Sequence, residues 1–155
     1  MIQNHFTATG VVFNSKKQLL MIHHNKLQVW LPPGGHIDDN ELPDDAVKRE
    51  VYEETGIQVE IISNNRGLDL SSEHCRELAI PFIVLLEDIE GNGMHNHIDL
   101  IYLCKALNEN LIPQENEVHG IGWFAFEEID RLNTFDNVRK TISKAVEWLG
   151  VGTVV

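Results

Sequence analysis

Cysteine is scarce in this chain. Only Cys75 and Cys104 occur, widely spaced and outside any CxxC or Cys/His pattern, which excludes a cysteine-based zinc site. Both read as reduced, structural thiols. Basic residues are scarce too: 12 Lys and Arg stand against 24 Asp and Glu, a formal net charge of −12. Such a surface repels nucleic acid polymers and anionic membranes. A small anionic substrate must then be received by bound metal and a few local cations. No apolar run approaches the roughly 20 residues needed to span a bilayer. Met1 to Gly10 shows no basic region followed by an apolar core, so no secretory signal is visible and a cytoplasmic protein is expected. What remains is a chain of 155 residues, 43% apolar and free of low-complexity tracts. It fits one domain, 1–155, with a substantial core.

One stretch carries chemistry. Gly35-His36-Ile37-Asp38-Asp39-Asn40-Glu41 is followed, after seven spacer residues, by Arg49-Glu50-Val51-Tyr52-Glu53-Glu54-Thr55-Gly56-Ile57. The spacing predicts a helix over Pro43–Thr55: Pro43 suits the first position, Asp44 and Asp45 the positive dipole end, and Gly56 the stop. At about 100° per residue, Glu50, Glu53 and Glu54 share an arc of roughly 100° that points the same way as Ala46 and Val47. Asp45, Lys48 and Tyr52 form the back. Like charges beside apolar residues repel and lose water, so their pKa values rise unless a cation neutralises them. Hard oxygen donors without sulfur suit Mg²⁺ or Mn²⁺. A merely acidic helix is the competing reading.

These residues resemble the Nudix box, the 23-residue signature of the Nudix hydrolases, with every defined position filled. A looser likeness extends from about Thr7 to Leu149. The resemblance implies an α/β fold with a mixed β-sheet sandwiched between α-helices. It also implies metal-dependent hydrolysis of a nucleoside diphosphate linked to some other group. It makes the Gly35 carbonyl, Glu50, Glu53 and Glu54 metal ligands, and gives Arg49 and Glu41 a shared orienting role. Arg49, one turn before Glu53, can also pair with that carboxylate. Some relatives place a further glutamate in the loop before the last strand, where Glu117 matches best and Glu115 second. Glu53, Glu50 and Glu117 are all candidates for the catalytic base.

Elsewhere the pattern predicts strands over His5–Phe13 and Gln18–His24, joined by a turn at Asn14–Lys17. His23 and Lys26, just upstream of the box, are candidates to meet substrate phosphates, although alternation lets at most one of His23 and His24 face the site. Trp30 either stacks on a base or closes the core, and core is the better reading. Leu42 sits where a helix cap is wanted and cannot cap. Gln58–Ile62 reads as a short strand, Leu78–Leu86 as a buried one with Pro81 at a bulge or edge, and Glu87–Gly93 as a turn. In Met94–Leu103, His95, His97 and Asp99 alternate onto one face. His97 and Asp99 are candidate substrate contacts; a solvent-facing strand is the main alternative, and a metal triad with His95 is disfavoured because the box already supplies ligands. A last strand is expected over Ile121–Phe126, then a short helix Glu127–Leu132 and an amphipathic helix Asp136–Leu149.

The resemblance implies a small nucleotide substrate, such as a nucleoside triphosphate with a normal or oxidised base, or alternatively a nucleotide sugar or dinucleotide polyphosphate. A non-catalytic nucleotide sensor on the same fold is disfavoured by the intact box. An isomerase is disfavoured because neither cysteine lies in a supporting motif. A homodimer stays open.

Overall fold

The strand on which the other elements are hung is β1 (Gln3–Phe13). β7 (His95–Ala106) runs parallel to it over its whole length, from Gln3↔His95 to Phe13↔Lys105. The other edge of β1 has two neighbours. β2 (Leu19–His24) pairs at Phe13↔Leu19, and β4 (Gly34–His36) pairs antiparallel with Thr7, Ala8 and Thr9. A strand edge cannot serve both partners at one place, so the sheet forks there. One branch continues through β2 to β3 (Trp30–Leu31) and β8 (Val118–Phe124). On the far edge of β7, β5 (Val59–Ile61) and β6 (Ile83–Asp88) pair antiparallel. The sheet is therefore mixed. This computed structural model describes residues 1–62, 68–112 and 118–150.

Period-2 alternation along β1 divides the core into two layers. Ala8 and Val12 turn to one face, where α1 (Pro43–Thr55) buries Ala46, Val47 and Val51 against them and against Tyr102 and Cys104. Val11 and Phe13 turn to the other, joining Leu19, Met21, Ile101 and Leu103 beneath Ile142, Ala145 and Val146 of α3 (Asp136–Leu149). The sheet is thus sandwiched between helices, with the short α2 (Phe126–Ile129) leading into the second.

Both long helices have the predicted bounds. Leu42 offers α1 no side-chain cap, and Gly56 ends it in the left-handed region at φ 75°. The last strand is Val118–Phe124 rather than 121–126. The expected buried strand at Leu78–Leu86 is a correction. The strand begins only at Ile83, after a first hydrogen bond from the Phe82 N–H to the Ile101 carbonyl, directly past Pro81, which has no N–H to give. β6 is an outer strand, and Leu78, Ile83, Val84 and Leu86 are exposed, Leu86 at 70%. The expected turn at Glu87–Gly93 also starts late, because Glu87 and Asp88 still pair with His97 and Asn96. Cys104 is buried as expected, with its thiol pushed up to about 12 by burial, but Cys75 is exposed. Asn64, Asn65, Arg66, Glu115, Glu117 and residues 151–155 lie outside the described residues. Among the described residues, no helix is long and apolar enough to cross a membrane.

A glycine contrast tests the end of α1. A Cβ on Gly56 would meet left-handed strain and Ile112 Cβ at 2.9 Å, whereas Gly91, at φ 74°, has open space around it. Gly91→Ala should cost about 1–2 kcal/mol of backbone strain at most, and Gly56→Ala measurably more. Urea unfolding of both variants checks the order.

Candidate active site

The carboxylates of α1 are held in place by three different devices. Glu54 is buried, and its Oε1 accepts the Gly34 N–H at 2.7 Å. Glu50 lies against the backbone of Gly35, where a Cβ would come within 2.6–2.7 Å of its Cδ and both carboxylate oxygens. Only glycine leaves that space. Glu53 is the most open, 46% exposed, and its Oε2 accepts from Arg49 Nη1 at 3.1 Å across one helical turn.

Arg49 joins these groups. Its Nη1 also donates to Glu50 Oε1 at 2.9 Å. Its Nε and Nη2 grip Glu41 bidentately at 2.7 and 2.9 Å, and Nη2 donates to the His36 carbonyl at 3.0 Å. Glu41 in turn accepts the Asp38 N–H at 3.1 Å. One guanidinium therefore fastens the loop between β4 and α1 to the helix and crosses three carboxylates, as a planar five-donor fork can. The Arg49 hydrogen bond holds the Glu41 carboxyl below its usual range, against a smaller opposing effect of burial. Arg49 itself is held above its ordinary value, chiefly by Glu41 and then, against burial, by Glu50.

The donor set is hard: carboxylate oxygens and a glycine backbone, with no sulfur. The space left by the absent Cβ at Gly35 brings the Glu50 carboxylate to the main chain, which fits a divalent ion of the Mg²⁺ type. Among the described residues no three carboxylate, imidazole or thiolate side chains already converge on one point. The box carboxylates are occupied instead by Arg49 and the Gly34 N–H.

The other expected site residues fall into separate groups. His23 packs at the end of β2, edge-on to Trp30 at 5.1 Å and stacked with His119 at 5.8 Å. Trp30 is half-buried and meets Phe124 edge-on at 5.0 Å, so it belongs mainly to the core. Lys26 is exposed in the turn after β2. His97 and Asp99 share a face of β7 as alternation predicts, but it is the far face. Gly35 pairs with Ala8, which turns toward α1, whereas Asp99 pairs with Thr7, which turns away. Asp99 is only 6% exposed, and its carboxylate accepts hydrogen bonds from the Thr7 and Thr9 hydroxyls at 2.9 Å.

Glu87 was assigned to a turn and so missed as Asp99's partner. Burial first, then the Asp99 charge, pushes Glu87 up to about 7. Burial raises Asp99 as well, against the Thr9 and Thr7 hydrogen bonds. Two crowded acids share a proton in this way. The signal available in the sequence was weak: Glu87 directly follows an apolar run, where a turn and a strand end look alike.

Comparison with known proteins agrees with the fold and the family resemblance. The NUDIX domain family matches residues 3–149. A "Probable DHNTP pyrophosphohydrolase" of Lactococcus lactis is 30% identical over 121 residues, 78% of this chain and 63% of that protein. An "RNA pyrophosphohydrolase" of Bartonella henselae is 42% identical over 60 residues, 37% of this chain and 35% of its own. The matches thus span between about a third and just under two thirds of these curated relatives. A crystal structure of a NUDIX family hydrolase from Clostridium perfringens superposes with a TM-score of 0.80 at 30% identity, covering 96% of this chain and 99% of that one.

The acid pair sets a pH dependence. Glu87 holds its proton more tightly folded than unfolded. Its contribution to stability is therefore full below its ordinary value of 4.5 and lost as pH rises through about 7. Urea unfolding across that window should show the loss in the wild type and a flatter profile in Glu87→Gln. Identical profiles would contradict the shared proton.

Proposed function

The chain belongs to the Nudix family, and from that premise we propose that it is a divalent-metal-dependent hydrolase. The bond cleaved is the diphosphate of a nucleoside diphosphate linked to another group. The observation that carries this reading is the Arg49 fork, which holds Glu41, Glu50 and Glu53 beside Gly35 and the buried Glu54. Nudix hydrolases generally use divalent metals. We assign Glu50, Glu53, Glu54 and the Gly35 carbonyl to a Mg²⁺ site that Mn²⁺ can also fill. When bound, the metal lowers the pKa of a water and offsets charge on the phosphates.

The chain's own groups do the positioning. Glu41 and Arg49 fix the loop and aim the helix carboxylates, which limits the reorganisation needed when substrate arrives. The Gly34 N–H holds Glu54 from behind. Glu53, the most exposed of the three box glutamates, takes the proton of the attacking water, and Glu117 is the second candidate for that role. His23 and Lys26 receive substrate phosphates. His97 and Asp99, on the other face of the sheet from Gly35, are retained as candidate contacts for the remainder of the substrate. The products are a nucleoside monophosphate and a phosphorylated group or pyrophosphate. A net charge of −12 favours a small nucleotide over a nucleic acid polymer. Nucleoside triphosphates are the first class to try, then nucleotide sugars and dinucleotide polyphosphates.

Glu54→Gln keeps an oxygen for the Gly34 N–H and so should keep the fold while losing a charged ligand. Product identification with Mg²⁺ across those three classes should show cleavage by the wild type and a fall of at least about 100-fold in the variant. Circular dichroism of the variant should be unchanged. Near wild-type turnover in Glu54→Gln would remove Glu54 from the ligand set.

A further inference from the structure

Four of the chain's eight histidines gather on the face of the sheet that turns away from α1, far apart in sequence and drawn from three strands. The rings of His5, His36, His97 and His95 form a closed circuit with neighbouring centroids 5.4, 5.0, 5.4 and 5.1 Å apart, and a His5–His97 diagonal of 6.4 Å. Imidazoles bound to one tetrahedral ion through bonds of about 2.0–2.1 Å have ring centres roughly 5 Å apart. The four sides of the circuit have that spacing, and the His5–His97 diagonal of 6.4 Å must shorten to complete a tetrahedral set.

Hydrogen bonding points the same way. The Nε2 atoms of His95 and His97 are buried and have no hydrogen-bond partner, which costs free energy unless something else meets them. The opposite nitrogen of His95, Nδ1, faces Glu90 Oε1 at 3.7 Å. A carboxylate behind the outer nitrogen is the arrangement that orients a metal-binding imidazole. Burial first, then His36, His95 and His5, pushes His97 down to about 4.

We propose that His5, His36, His95 and His97 form a binding site for one divalent transition ion of the Zn²⁺ class, distinct from the carboxylate site across the sheet. Imidazole donors suit Zn²⁺, Ni²⁺ or Cu²⁺ and not Mg²⁺. The nitrogens do not already meet at one point, and neither do the box carboxylates; binding requires the four rings to turn their nitrogens inward. Bound there, the ion ties β1 and β7 to β4, and so to the loop that enters the box.

The test is equilibrium dialysis of the full chain against Zn²⁺ in excess Mg²⁺, with metal content measured per chain. One Zn²⁺ should bind, His5→Gln and His97→Gln should each weaken it by at least about tenfold, and Glu54→Gln should leave it unchanged. Zn²⁺ binding that survives both histidine changes, or is lost in Glu54→Gln, overturns the proposal. Should the histidine variants not fold, imidazole ¹H–¹⁵N spectra of the wild type decide. One equivalent of Zn²⁺ must shift the ring nitrogens of all four histidines, and their staying put overturns it. Neither outcome bears on the hydrolase reading, which rests on the other face.

Discussion

A guanidinium that bonds three carboxylates and a carbonyl at once is the constraint on which this site depends. Without Arg49, Glu50 and Glu53 would repel each other beside the buried Glu54, and the loop from His36 to Glu41 would lose its polar tie to the helix, keeping only the packing of Ile37. The positive charge makes the acidic cluster compatible with a folded state, and the planar fork sets where each oxygen points. Lysine could supply the charge but not the fork. The same arrangement leaves the carboxylates held but not consumed, since a divalent ion can take the charge-balancing part that Arg49 plays in its absence.

The second constraint is the forked edge of β1. Because β4 pairs with Thr7, Ala8 and Thr9, successive residues of the box entrance are dealt to opposite faces. Gly35 goes to the α1 face and meets Glu50; His36 goes to the other and meets His5 and His97. Hard oxygen donors and imidazoles thus collect within one residue of each other in sequence, yet on two sides of a strand.

Both long helices and the box were legible because their signals are local. Pro43, Gly56 and the Glu50/Glu53/Glu54 spacing act within a few turns, the Arg49–Glu53 pair follows from helix geometry, and the Arg49–Glu41 pair was implied by the resemblance to the Nudix box. What failed was set by neighbours distant in sequence. The apolar run Leu78–Leu86 reads as core, but nothing in the sequence says that Val84 and Leu86 turn to an exposed face while Phe82 and Leu85 pack on the side of α3. His5 and His36 carry no mark of their own, and Glu87 looks like a turn residue. Their gathering depends on the parallel register of β1 with β7 and the pairing of β1 with β4, neither of which alternation within one segment can reveal.

The most direct test of the central claim is Mn²⁺ binding by electron paramagnetic resonance, comparing the wild type with Arg49→Lys. If Arg49 works by aiming the box carboxylates, the variant should remain folded and bind Mn²⁺ at least about tenfold more weakly. Wild-type affinity in a folded Arg49→Lys protein would show that the fork does not organise the site, and would contradict the account.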